Sequence, residues 1–399
     1  MHRTLEEIEP GREVLTDDGP CYRIERRVAL DGRHGKFPLA SLASFPSELA
    51  ALLGREPRLQ GIAPHEIAFF DTETTGLGGA GTKIFLAGLG WLEPDASAFT
   101  VVQFFMRDYE GEAALLRALH AELFRFRAVA TYNGKRFDWP LLQERLILNR
   151  LRLPLPHPHY DVLYPTRRLW RRQTTNCSLV TLESELLGHR RGADVPGEFV
   201  PILYFRFLRE QDPSLLSLVF SHNRHDIVSL AVLMAVNHAV ASSVDSERSA
   251  PDGFGAETEV DWLSVGRLWE SLKRPDAALR AYSRGHAAPG AAPAAVESLL
   301  AAGSLLKRTG RPREALAHWQ RCLDSAEPAH RLEALEELAK FEEWRAGRPE
   351  EARGYTEEAL TLLSRFTSAP AVWRTRFESR RVRLLRKSPV AVRSPELVP

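Results

Sequence analysis

The sequence predicts an α/β domain, a mixed sheet with flanking helices, followed by an all-α domain of helical repeats. Three observations carry that expectation. Short β-rich apolar runs turn into alternating helix and strand patterns between residues 66 and 131, which implies a sheet covered by helices. Near the C-terminal end one phrase returns three times, as KRPDAALRAY, GRPREALAHW and GRPEEARGYT. Between the two regions, residues 243–261 (SVDSERSAPDGFGAETEVD) are rich in Ser, Gly, Asp and Pro and lack helical periodicity, as expected of a linker.

Taken in order, residues 1–60 carry turn signals at Asp17-Asp18-Gly19 and Asp31-Gly32 and read as a β-rich N-terminal extension without assignable chemistry. Residues 61–242 form the α/β domain. Its strand candidates are 66–70, 82–91, 98–106 and the run AVATYNG, while Leu115, Leu116, Leu119 and Leu123 give 111–126 helical spacing. From 136 to 241 the pattern is mostly helical. In the repeats (262–366), Pro275, Pro312 and Pro349 recur every 37 residues, and each unit reads as helix, turn, helix with proline in the first turn of the second helix. Ala278, Ala315 and Ala352 share the register, as do Tyr282 and Trp319 in the first two copies. That period predicts a solenoid of the tetratricopeptide (TPR) kind. Residues 367–399 read as a basic helix and tail, with eight Lys/Arg and one acid, Glu378, between 374 and 393; a solvated face is the expected role.

Composition narrows the function. With 53 Lys+Arg against 52 Asp+Glu, attraction to nucleic acid has to come from local clustering rather than bulk charge. The cysteines Cys21, Cys177 and Cys322 are scattered and lack CxxC spacing, which argues against a disulfide framework and a zinc site and fits a reducing cytoplasm. The N-terminus lacks an apolar leader, and the apolar stretch Leu230–Ala241 is short and broken by Asn237 and His238, so no membrane role is expected.

The chemistry starts where a buried strand ends in acid, in AFFDTETTGLGG. The strand period of two puts Asp71 and Glu73 on one face. Carboxylates that close repel, and a shared proton or a bound cation resolves the conflict; solvated strand-end acids are the plainer reading. TYNGKRFDWPLL presents Asp138 after a strand and an Asn-Gly turn, as a helix N-cap or as a third acid. In FSHNRHDIVSL, His222 and Asp226 are four apart on a helix and share a face.

This order of acids resembles motifs I, II and III of the DEDD exonuclease superfamily. More narrowly the chain is similar to the bacterial exonucleases of the YprB/MrfB kind, which join an RNase H-like DEDD domain to C-terminal TPR repeats. Further matching phrases are CSLVTLESELLG, RRGADVPGEFVPILYFRFLR and GPCYRIERRVALDGRHGKFPLASL. The resemblance implies an RNase H-like fold, two divalent ions (Mg²⁺ or Mn²⁺) held by Asp71, Glu73, Asp138 and Asp226, and phosphodiester hydrolysis from a strand end. It also implies DNA in repair, ahead of RNA, and a protein partner on the repeats, a helicase being the kind expected. A repeat scaffold with an inactive nuclease domain is the reading from another class. The histidine type of the superfamily places its base five residues before the third acid, where this chain has Ser221; the tyrosine type uses the position four before, where it has His222. His222 is thus the expected general base, and His225, about a quarter-turn from Asp226, the weaker candidate.

A polyanionic substrate also needs cations. From Lys135 to Arg191 there are eleven Lys/Arg against five Asp/Glu, interleaved with Trp139, Tyr160, Tyr164 and Trp170 as candidate stacking surfaces. Thr72, Asn133, Lys135 and Arg136, beside the acids, are the candidate substrate contacts. Asp161, in HPHYD, has the look of a metal ligand beside His157 and His159, and helix capping is its expected role.

Overall fold

The computed structural model describes residues 4–44, 46–76, 81–155, 157–245, 260–287, 293–366 and 368–387. The chain divides into two compact units, Met1–Val260 and Asp261–Pro399.

The first unit is organised by seven strands: β1 (Arg12–Thr16), β2 (Gly19–Ala29), β5 (Ile67–Thr74), β6 (Ile84–Leu92), β7 (Ala98–Phe105), β8 (Ala128–Thr131) and β9 (His159–Asp161). They lie in the order β1-β2-β7-β6-β5-β8-β9, while β3 (Arg33–His34) and β4 (Phe37–Pro38) make a separate ribbon. The β1–β2–β7–β6–β5 half is antiparallel; β8 and β9 add parallel to β5. Residues 1–60 therefore do not form a unit of their own, since β1 and β2 extend the sheet. β6 and β7 are buried along their whole length, each large apolar side chain contributing about 1.5–3 kcal/mol. That covered centre is the rigid support on which β5 stands.

The helices of this unit are α1 (Leu5–Ile8), α2 (Ser47–Gly54), α3 (Glu112–Leu123), α4 (Asp138–Leu148), α5 (Leu163–Trp170), α6 (Leu179–Leu182), α7 (Val200–Glu210) and α8 (Leu216–Ser242). With its 3-10 extension α8 runs to Asp245, long and apolar enough to cross a bilayer, but 89% of its apolar window is buried inside the unit. The stretch read as too short to span is the end of a core helix. The polar residues that break it are bonded internally: Asn237 accepts from Trp170 Nε1 at 2.7 Å and His238 Nε2 meets Tyr160 Oη at 2.9 Å. Two glycines of β6 let α8 approach. A Cβ on Gly88 would fall 2.3 Å from Asn223 Oδ1, and one on Gly90 2.4 Å from Ile227 Cγ2.

The second unit is helical: α9 (Trp262–Ser271), α10 (Pro275–Ala287), α11 (Pro293–Arg308), α12 (Pro312–Arg321), α13 (Pro328–Phe341), α14 (Pro349–Arg365) and α15 (Ala371–Lys387). The three register prolines open α10, α12 and α14, and the three register alanines are fully buried. Gly266 and Gly303 leave the room that Tyr282 and Trp319 fill; a Cβ there would sit 2.2 Å and 2.4 Å from the rings. Most of the expected linker, 246–259, and the tail beyond 387 lie outside the described residues.

Candidate active site

The geometry begins with register. β8 pairs with β5 only from Ile67 to Phe69, so Asp71–Thr74 run on past the end of the parallel neighbour. The antiparallel pairing with β6 continues to a bulge at Glu73/Thr74, a device that re-aims side chains at a strand end. Asp71 Oδ2 accepts from Asn223 Nδ2 of α8 at 2.8 Å, and Asp138 Oδ1, at the first position of α4, accepts from Thr72 Oγ1 at 2.6 Å. Among the described residues the half-buried carboxylate of Glu73 has no hydrogen-bond or ion-pair partner. Asp226 accepts from Arg191 Nη2.

Three elements thus bring Asp71, Glu73, Asp138 and Asp226 together, and the electrostatics record the proximity. Burial is the largest force pushing all four carboxyls above the ordinary range. Repulsion from Asp226 and Asp138 comes next for both Asp71 and Glu73. Asp138 is raised to about 6 against the pull of the Thr72 hydroxyl. Asp226 stays raised despite Arg191 and His222, whose charges act to lower it.

The histidine is held from behind. Buried His222 presents Nδ1 to Asp194 Oδ1 at 3.0 Å, and its Nε2 lies 3.7 Å from Asp226 Oδ2. Arg191 Nη1 also lies 3.2 Å from Nδ1, and protonation of Nδ1 toward the charged Asp194 acceptor would leave Nε2 with the lone pair. Arg191 links the group: Nε and Nη2 donate to Glu183 at 2.6 and 2.7 Å, and Nη1 donates to Asp194 Oδ2 at 3.1 Å. Glu183 starts a π-helical turn, Glu183–Leu187, that ends at Gly188 in the left-handed region, and the loop after it delivers Arg191 and Asp194. His225 looks elsewhere. Its ring faces His189 at 5.5 Å, and His189 stacks on His34 at 3.9 Å.

The donor set consists of hard carboxylate oxygens with more negative charge than the neighbouring cations offset, which suits Mg²⁺ or Mn²⁺ and not zinc. Among the described residues no three His, Cys, Asp or Glu side chains already converge as a ligand group; the Asp71, Asp138 and Asp226 carboxylates are turned to Asn223, Thr72 and Arg191.

Residues 68–237, which span all four acids, match the family model described as the RNase_H superfamily. The chain is also 33% identical over 366 residues, 88% of its own length and 83% of the relative's, to "Uncharacterized protein YprB" of Bacillus subtilis (strain 168). The chain belongs to the RNase H superfamily. Its likeness to YprB runs through both units.

Within the RNase H-like unit the other expected residues separate. Thr72, read as a substrate contact, has its hydroxyl committed to Asp138. Asp161 ends β9 and accepts from the backbone N–H groups of Asn133, Lys135 and Leu163 at 2.8, 3.2 and 3.1 Å, bracing the turn before Asp138 and the start of α5. Lys135 is half-buried beside Asp161 and Arg136 is exposed. The basic segment does not act as one face: Arg145 is buried against Glu112 and Arg191 against its acids. Tyr160 and Trp170 are core residues, and Trp139 packs edge-on to Phe70. Asn223, Asp194, Arg191 and Glu183 were not read from the sequence as site residues. The latter three lie in phrases that carry the family resemblance, but nothing in their spacing announces a role, and Asn223 is marked only by its place three residues before Asp226.

Proposed function

We propose that the protein is a metal-dependent 3′-5′ exonuclease acting on phosphodiester bonds, with DNA as its favoured substrate. The observation that carries this is the cluster itself: four carboxylates from β5, α4 and α8, all pushed up by burial, with Glu73 lacking a donor among the described residues. A structural role does not favour such an arrangement, because each buried unpaired charge costs stability. Asp71, Glu73, Asp138 and Asp226 would hold two divalent ions, which supply Lewis acidity toward the phosphate and lower the pKa of water. His222 Nε2 takes the proton of the attacking water, and Asp194, fixed by Arg191, holds the ring with that nitrogen free. The water oxygen joins phosphorus as the bond to the 3′ oxygen breaks, releasing a nucleoside 5′-monophosphate and leaving a new 3′ hydroxyl. Asn223 and Thr72 set the directions of Asp71 and Asp138. The C-terminal repeats would dock a protein partner, with a helicase as the kind the family resemblance points to.

Oligonucleotides of DNA and RNA, single- and double-stranded and labelled at either end, test the reading with Mg²⁺, Mn²⁺ or EDTA. A ladder from the 3′ end that EDTA abolishes is expected, faster on DNA. Intact oligonucleotides under every metal condition would overturn it, and faster cleavage of RNA would reassign the sugar.

A further inference from the structure

The turn that delivers Asp138 is also one wall of an open cleft of about 730 Å³. Tyr132, Asn133, Arg167, Arg171 and residues 175–179 line it. The two arginines are one helical turn apart, so they share a side of α5 and its C-cap. Both are exposed, and among the described residues neither meets a carboxylate. Asn133, in the same cleft lining, is held at φ 64°, in the left-handed region, with its backbone N–H given to Asp161. Its side-chain amide has no partner among the described residues. The strain of that conformation is maintained by Asp161 and leaves the amide in the cleft wall.

The walls are braced. Tyr132 Oη donates to Cys177 O at 2.6 Å, and Thr175 donates through both its N–H and its hydroxyl to Glu185 at 2.8 and 2.7 Å. The cleft therefore offers two guanidinium forks and a side-chain amide, and no acidic side chain is among its lining residues. Guanidinium forks recognise phosphate oxygens in pairs, and two of them a helical turn apart suit a chain of phosphates better than a single one.

We propose that this cleft is the backbone track of the substrate strand, gripping phosphodiester phosphates next to the bond being cut. The inference rests on the nuclease reading and deepens it: Arg167 and Arg171, rather than Lys135 and Arg136, are the principal phosphate contacts.

The test is binding of a labelled (dT)12 strand to the full chain in EDTA, across a salt series, with melting curves confirming the fold. Arg167→Gln/Arg171→Gln should weaken binding about tenfold or more. It should also flatten the slope of log affinity against log salt by about 1.4, two contacts at roughly 0.7 each. Arg150→Gln/Arg152→Gln, exposed arginines of the same basic segment lying outside the cleft, should change binding by less than twofold. Equal losses in the two double variants, or none in the first, would overturn the track. So would dTMP competing as well as (dT)12 at equal phosphate concentration, which would make the cleft a single-phosphate pocket. If binding depends on Arg167 and Arg171 but no oligonucleotide is ever cleaved, the exonuclease reading falls and the strand track stands. If cleavage proceeds and binding ignores both arginines, the reverse holds.

Discussion

At the scale of single residues, the site separates two histidines three positions apart. His222 faces Asp226 with Nε2 while Asp194 holds Nδ1; His225 faces His189. General-base help is worth about 10²–10⁴-fold, so His222→Ala should lower kcat by that order and His225→Ala by only a few-fold. Asp194→Asn should fall between them with KM little changed, because it disturbs the tautomer without touching substrate. Single-turnover kinetics check all three, and a crippled His225→Ala beside an active His222→Ala would place the base elsewhere. The acids give a stability prediction with a definite sign. Asp138 titrates near 6 in the folded chain and near the ordinary ~3.9 when unfolded. The folded state therefore keeps a proton that the unfolded state has released, and stability is lost as pH rises through that window. In EDTA at pH 7, Asp138→Asn should melt higher than the wild-type chain, and the difference should close by about pH 4. A lower melting temperature at pH 7 would show that the carboxylate is not strained.

At the scale of elements, α8 reaches the acids only because β6 is bare at Gly88. Gly88→Ala would press on Asn223 Oδ1 and Ile227 Cδ1, each 2.3 Å from the new carbon. Overpacking of this kind costs about 1–3 kcal/mol. It should also lower turnover, since displaced Asn223 releases Asp71; urea denaturation and kinetics on the same sample check both. The basic helix after the repeats, α15, is not only a solvated face, since a buried anion holds it. Glu343 accepts from Arg380, Arg383 and Lys387 of α15 at 2.7 to 2.9 Å. The Arg383 hydrogen bond is the largest influence holding its carboxyl down at about 2. A depressed carboxylate stabilises above its unfolded pKa, and that stability is lost as pH falls from about 4.5 toward 2. Glu343→Gln should therefore melt several degrees lower at pH 7 and approach the wild-type curve by pH 3. A constant gap across that range would remove the ion cluster from the explanation.

At the scale of the molecule, two compact units predict two calorimetric transitions. On the proposed metal site, Mn²⁺ would bind only folded carboxylates of the first unit, so it should raise one transition and leave the other in place. In Asp71→Asn the shift should largely disappear. A single transition moved as a whole by Mn²⁺ would mean that the units unfold together. How much was legible also varies with scale. The strand candidates 82–91 and 98–106 lie within two residues of β6 and β7, because a fully apolar run is a local signal. β9 was missed: it is three residues long and follows a proline-rich lead-in. The joining of β2 to β7 pairs Ala29 with Ala98 and Tyr22 with Phe105, a contact between distant segments that no local pattern encodes.

The sequence by itself determined most of the strands and helices and the 37-residue repeat, since periodicity is a property of neighbouring residues, and its resemblance to a known order of motifs marked the four acids. Only the tertiary structure decided what surrounds those acids. Arg191, Asp194 and Asn223 reach the site because a π-turn, a loop and a glycine-bared strand bring their side chains in. The same folding divides one basic segment into buried ion pairs, an open cleft and a solvated face. Burial and distance set whether a charge is partnered, and both arise only when segments far apart in the chain are packed together.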